Sequence, residues 1–210
     1  MEQSKKYELL NTHTIEFGGI TLFRIKALIS FGNVKKGELG GYVEKEGNLC
    51  HSGNAWVSDN AKVYGNAEVT GDAWVSGDAW VSGDARVTGD AWVSGNARVC
   101  GKAKVTGDAE VYGNAKVTGD AKVTDNAKVT GDAKVTDNAK VYDNAEVSGN
   151  AEVTGDAKVS DNAKVSDNAT VSGNAWVSGN AKVYGIAKVT DNAWVTDDAW
   201  VFDNAKVTGR

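Results

Sequence analysis

Proline is absent from the 210 residues, so every residue keeps a backbone N–H for a hydrogen-bonded ladder. Histidine occurs only at His13 and His51, both before the long regular part of the chain. A three-histidine zinc site is therefore excluded, and acid–base catalysis lacks its commonest residue. No apolar run approaches a membrane span, and Met1–Tyr7 lacks the apolar centre of a signal peptide. A cytoplasmic protein is expected, made in a bacterial cell or a phage-infected host, with no membrane partner. Charge of one sign is also scarce: 23 basic against 28 acidic residues leave a net charge of −5. That mild acidity argues against a nucleic-acid partner. There is no nucleophile elbow, phosphate loop or CxxC pair, so neither a cofactor nor a catalytic residue is expected.

What the chain has instead is a period. A valine recurs at every sixth position from Val57 to Val207, 26 times, each preceded two residues earlier by an alanine, Ala55 to Ala205. So strict a repeat means one structural unit stacked on itself. Alanine and valine two apart point to the same side of an extended segment, and the residue between them points to the other. The Gly-Asn, Gly-Asp or Asp-Asn pair that follows tolerates positive φ or bonds its own backbone, as a corner requires. Each hexapeptide thus reads as one short strand and one corner.

Such a unit buries its apolar side only by coiling. Three hexapeptides, 18 residues, close a triangular section, and 26 repeats give between eight and nine coils, roughly 42 Å long at about 4.8 Å per layer. On this spacing Cys50 and Cys100 lie roughly 14 Å apart, beyond the reach of about 7 Å for a disulfide, so free thiols are expected. Residues 1–53 form an aperiodic β cap and residues 54–210 the repeat body. In the cap, Thr14–Phe17 and Ile20–Ile29 alternate around Gly18-Gly19, a hairpin signal. Gly40-Gly41 reads as a tight turn before the first coil, and His51 falls where the register calls for a valine.

The Ala-x-Val hexapeptide resembles that of the hexapeptide-repeat left-handed β-helix proteins. This resemblance implies an all-β, single-stranded, left-handed parallel β-helix. Parallel crossovers otherwise favour the right hand, and the right-handed triangular helix of bactofilin-type filament proteins is the competing picture. The lead-in Phe23–Ala27, Val34–Val43, Glu46 and Asn48-Leu49 resembles that of bacterial and phage hexapeptide-repeat proteins. Those carry the labels polymer-forming or transferase without a settled activity. Acyltransferases of this fold depend on a catalytic histidine and on loops thrown out between coils, and the body has neither.

Residues 18 apart should stack in columns. All seven tryptophans, Trp56, Trp74, Trp80, Trp92, Trp176, Trp194 and Trp200, occupy the outward position between Ala and Val. Trp56, Trp74 and Trp92 should form an exposed ladder, read either as a self-stabilising stack or as a contact patch for another protein. Arg86, Lys104, Lys122, Lys140 and Lys158 form a basic column beside a corner that collects eight of the body's 18 aspartates. Mutual neutralisation of the two columns is the expectation. The final coil carries no cap. Its unpaired strand edges, with Val201, Phe202, Val207 and Arg210, are expected to join two molecules tail to tail. The chain is thus read as a non-catalytic scaffolding or interaction rod. The alternatives are a phage-encoded inhibitor that engages a host protein through its surface columns, and a degenerate hexapeptide acyltransferase.

Overall fold

In the computed structural model, which describes residues 5–209, each hexapeptide contributes a strand of two residues, from Trp56–Val57 onward; only Lys188–Thr190 and Lys206–Thr208 extend to three. The following residues turn the chain. In Thr124–Ala127 the Ala127 N–H donates to the Thr124 carbonyl at 3.2 Å, and the second turn residue, Asp125, has φ +62°. That left-handed conformation favours glycine, which fills most corners.

Strands 18 residues apart pair in parallel and in register, as in Lys104↔Lys122 and Val105↔Val123. Three flat faces result. The first contains nine strands from Trp56–Val57 to Trp200–Val201, the third eight from Glu68–Val69 to Trp194–Val195. The second runs from Lys62–Val63 to Lys206–Thr208 and continues into the cap as one 12-stranded sheet. The three-sided tube of 18 residues per coil expected from the sequence is the architecture, about nine coils long. Corners are bonded as well as faces: Lys102 N–H reaches the Gly119 carbonyl at 2.8 Å, and Lys104 N–H the Ala121 carbonyl at 2.9 Å. Every repeat alanine and valine from Ala55 to Val189 is fully buried. Each such valine contributes about 1.5–3 kcal/mol of burial before chain entropy is subtracted.

The cap is built from β1 (Tyr7–Phe17), β2 (Ile20–Ala27) and β3 (Leu39–Val43). β1 and β2 pair antiparallel around Gly18-Gly19, where φ is +60° and +82°, and residues 11–13 bulge out of the ladder. β3 pairs antiparallel with β2 and parallel with Lys62–Val63, so the hairpin extends the second face instead of lying across it. Among the described residues there is no α-helix, only a 3-10 turn at Glu46–Asn48.

Two expectations about the cap are corrected. Gly40-Gly41 lies inside β3 and makes no turn. A Cβ on Gly40 would stand 2.5 Å from Ile25 Cγ1 and 2.6 Å from Trp56 Cζ2, and one on Gly41 2.7 Å from the Ala61 carbonyl. Glycine is needed there for close approach. Nor does His51 hold a valine's place: Leu49 does, bridging to Val69 and 1% exposed. Both Val43↔Val63 and Leu49↔Val69 span 20 residues, because the first winding carries two extra residues before Ala55.

Candidate functional site

The outward position of each hexapeptide, the residue after the valine and the corners vary without disturbing the core, so any recognition surface of the body is written there. The columns stack as expected. Trp56 pairs with Trp74 and Trp74 with Trp92, while Trp176 pairs with Trp194. The indoles follow a rule of their own, since Trp74, Trp92 and Trp176 each donate Nε1–H to a serine 16 residues earlier, Ser58, Ser76 and Ser160, at 3.2, 3.3 and 3.0 Å.

Their exposure departs from expectation near the cap. Trp56, expected at the outer end of a ladder, is fully buried, because Phe31 and Tyr7 close over it at ring separations of 5.4 and 6.5 Å. Trp80 is half-buried: the hairpin tip sets Phe17 edge-on against it at 4.7 Å, and the Arg98 guanidinium lies 4.3 Å above its ring. The exposed aromatic surface next to the cap is therefore Trp92, 52% exposed, with Trp74 partly covered. A shallow groove of about 460 Å³ runs between Asn33, Trp74, Asp90 and Trp92.

At the opposite end the core opens. Inner alanines are sealed, but Ala199 and Ala205 are exposed and Val207 only partly covered. The Trp194 and Trp200 indoles stand out at 68% and 58% exposure. Val201 remains buried, Phe202 is exposed, and Arg210 lies outside the described residues, as do residues 1–4. Tyr184 stacks on Phe202 at 5.5 Å and meets Trp200 edge-on at 6.4 Å. Beside them Ile186, 52% exposed, completes an apolar patch that the sequence reading missed. Its signal was available: Ile186 is the one apolar residue at a corner position otherwise held by Asn, Asp, Lys or Arg.

Charge is arranged differently on each face. The first face alternates signs through its middle, with Lys128–Glu110 at 3.1 Å and Lys164–Glu146 at 3.0 Å, whereas the second stacks Arg98, Lys116 and Lys134, of which Lys134 meets Glu152 at 2.7 Å. These bridges hold the Lys128 and Lys134 ammonium groups above their ordinary pKa, chiefly through the hydrogen bond to glutamate. On the third face Arg86 meets Glu68 at 3.4 Å and Lys158 lies over the Trp176 ring. Between them Lys104, Lys122 and Lys140 stack on one another, and among the described residues none pairs with a carboxylate. The expected neutralisation by the neighbouring aspartate corner is not made by contact. Those aspartates instead serve their own corner: Asp143 Oδ2 accepts the Asp161 N–H at 3.3 Å, and Asp161 Oδ2 the Gly179 N–H at 3.0 Å.

The cap joint holds the remaining buried polar groups. Lys6 is 1% exposed, donates to the Gly53 and Ala55 carbonyls at 3.3 and 2.8 Å, and lies over the Phe31 ring. Burial pulls its pKa down to about 8. Tyr7 donates its hydroxyl to the Glu46 and Leu49 carbonyls, and burial raises its pKa. His51 stacks on Tyr7 at 4.3 Å and accepts the Lys6 backbone N–H at Nδ1, with its pKa lowered by burial. These contacts clamp the cap and leave no open cleft. Cys50 and Cys100 are free thiols, and among the described residues no three His, Cys, Asp or Glu side chains are grouped to hold a metal ion. No helix among them is long and apolar enough to cross a membrane.

Comparison with known proteins matches residues 73–178 to the family model described as Bactofilin, polymer-forming cytoskeletal. The matched stretch lies wholly within the repeat body and takes in the charged middle of the rod. Among curated proteins no match is found. The match meets the filament-forming picture that the sequence left in competition with the hexapeptide-repeat left-handed β-helix, and it does not reach the cap residues that carry the resemblance to the narrower capped group. A parallel β-solenoid of 18-residue coils, matched over half its length, belongs to the bactofilin family of polymer-forming cytoskeletal proteins.

Proposed function

We propose that this chain is a non-catalytic structural rod of the cytoplasm whose first step of polymerisation is tail-to-tail joining through its last coil. Membership of a polymer-forming family supports self-association. The asymmetry of the two ends supports the choice of joint. The cap seals one end, burying Trp56 under Phe31 and Tyr7. The observation that carries the reading is the apolar patch on the coils far from the cap, in which Ile186, Trp194, Trp200 and Phe202 are 52%, 68%, 58% and 46% exposed and Tyr184 stacks on Phe202. A second copy laid against that patch removes it from water, and contiguous exposed apolar surface of this kind marks an interaction site.

Sedimentation velocity tests the joint. In 0.5 M salt, which screens charge contacts along the flank, the wild-type chain should sediment as an elongated dimer or longer, and Ala205→Glu with Val207→Lys should sediment as a folded monomer. A wild-type chain that stays monomeric at every concentration, or a double variant that still dimerises, refutes the joint. The exposed indoles Trp92, Trp194 and Trp200 remain available for a protein partner on the flank. Neither a host-protein inhibitor nor a transferase gains any support from the family match.

A further inference from the structure

Lys104, Lys122 and Lys140 stack on the third face without a carboxylate between them. Like charges on neighbouring strands destabilise a sheet; the middle of the first face avoids this by alternating Glu110, Lys128, Glu146 and Lys164, while the second face carries a cationic run of its own, Arg98, Lys116 and Lys134, that ends on Glu152. At the adjoining corner Asp125, Asp143 and Asp161 form an acidic column whose carboxylates accept backbone N–H groups of the corner but, among the described residues, meet no cation. A groove of about 270 Å³ lies among Lys122, Lys140, Lys158, Asp125, Thr124 and Tyr142, between the two columns. The rod thus carries, side by side along one edge, a positive column and a negative column, neither of which meets an opposite charge among the described residues. Both repeat every 18 residues, and therefore with the same axial spacing of about 4.8 Å.

We propose that this dipolar strip is a lateral docking surface for a second copy of the chain, which pairs two rods side by side in parallel orientation. Charge complementarity selects the occupant. An identical rod brings an aspartate column with the same spacing as the lysine column, so every coil in the overlap makes the same contact. The orientation follows from symmetry. A half-turn about a line parallel to the rod exchanges left and right but keeps top and bottom. Lysine then faces aspartate on both sides of an isologous contact. A half-turn about a line across the rod keeps left and right, sets lysine against lysine, and is repelled. The contact is made along the flank, so it is independent of the end joint and adds width where the end joint adds length.

Small-angle scattering separates the two, because mass per unit length reports on width alone. At low salt the wild-type rod should show twice the mass per unit length of a single coil stack. The value should fall to that of one rod in 0.5 M salt, where the screening length is about 4 Å. Lys104→Glu with Lys122→Glu and Lys140→Glu should give single rods at low salt with unchanged circular dichroism. Mixing that variant with Asp125→Asn/Asp143→Asn/Asp161→Asn, in which asparagine tolerates the same backbone, should restore part of the pairing. A spin label at position 72, with Cys50 and Cys100 changed to serine, should report a short label-to-label distance in parallel pairs. Single wild-type rods at low salt overturn the proposal, as do pairs that survive the triple lysine reversal or a label distance that places the rods antiparallel. Single rods that bind anionic vesicles through the lysine column overturn it too, since the occupant would then be a membrane surface.

Discussion

The corner residue shows how little latitude the repeat allows and how the exceptions are compensated. Nine aspartates occupy the left-handed position that glycine fills elsewhere, with φ between +53° and +62°. A side chain in that conformation costs roughly 1–2 kcal/mol. Asp59, Asp137, Asp161 and Asp167 each offset it by accepting, through Oδ2, the backbone N–H of the residue one coil above, at 3.0 to 3.1 Å. A hydrogen bond to a charged acceptor is worth about 1.5–3 kcal/mol. The order of stability at such a corner is therefore Asp close to Gly, with Ala below both. For Asp137, replacement by glycine should leave the urea midpoint nearly unchanged. Replacement by alanine should lower stability by about 1–2 kcal/mol, since the strain remains and the bond is gone. An alanine variant as stable as the wild type would show that the carboxylate does not compensate the corner.

Among the elements, the two-residue strands of the body were legible and the cap was legible only in part, for a physical reason. A body strand is specified by its own hexapeptide: Ala121 and Val123 face inward because they are two apart, whatever surrounds them. The cap's glycines are specified by what lies far away in sequence. Gly40 and Gly41 mimic a turn locally, yet they sit in β3 because the Trp56 ring and the Ala61 carbonyl leave no room for a Cβ. The place of Leu49 was readable, six residues after Val43 and at the same spacing as the body, but the two extra residues before Ala55 hide it from a count made backward from Val57. Burial of Trp56 was not readable, since the sequence places it in the same position as exposed Trp92. The cover of Phe31 and Tyr7 distinguishes them.

What fastens β1 to the first coil is Lys6, and its burial gives the cap a pH dependence of definite sign. Below about 8 the ammonium carries its proton both folded and unfolded, so stability does not change with pH through this group. Between about 8 and its ordinary 10.5 the folded form is neutral while the unfolded chain still binds the proton. Stability therefore rises with pH across that window. Replacing Lys6 by methionine should remove the rise. The check is the urea midpoint of cap unfolding at pH 7.5 and 9.5, followed in a background where Trp56 is the only tryptophan. The wild-type midpoint should climb relative to Lys6→Met, which cancels the contributions of Tyr7 and Cys100. Equal changes in the two proteins would mean that Lys6 does not titrate in the folded cap.

For the whole molecule, core and surface have different periods, and this separates folding from assembly. The core repeats every six residues, because each face presents the same Ala and Val; the surface repeats every 18, because only that spacing returns to the same face. Stability rests on nearest-neighbour stacking, so a coil can be removed without unfolding the rest. Deleting residues 121–138 removes one full coil: the rod should shorten by about 4.8 Å, keep its columns aligned, and retain both lateral pairing and the end joint. Deleting residues 121–126 removes a single hexapeptide. The core closes up again, but everything beyond the cut rotates by one face relative to the cap. Lys104 then lies below residues of a different column, and the lysine and aspartate columns are broken in the middle of the rod. Both deletions should melt cooperatively at similar temperatures by circular dichroism. Only the hexapeptide deletion should lose the doubled mass per unit length at low salt, while sedimentation still finds its ends joined. Rods that pair equally well with six residues missing would mean that lateral contact does not read the columns at all.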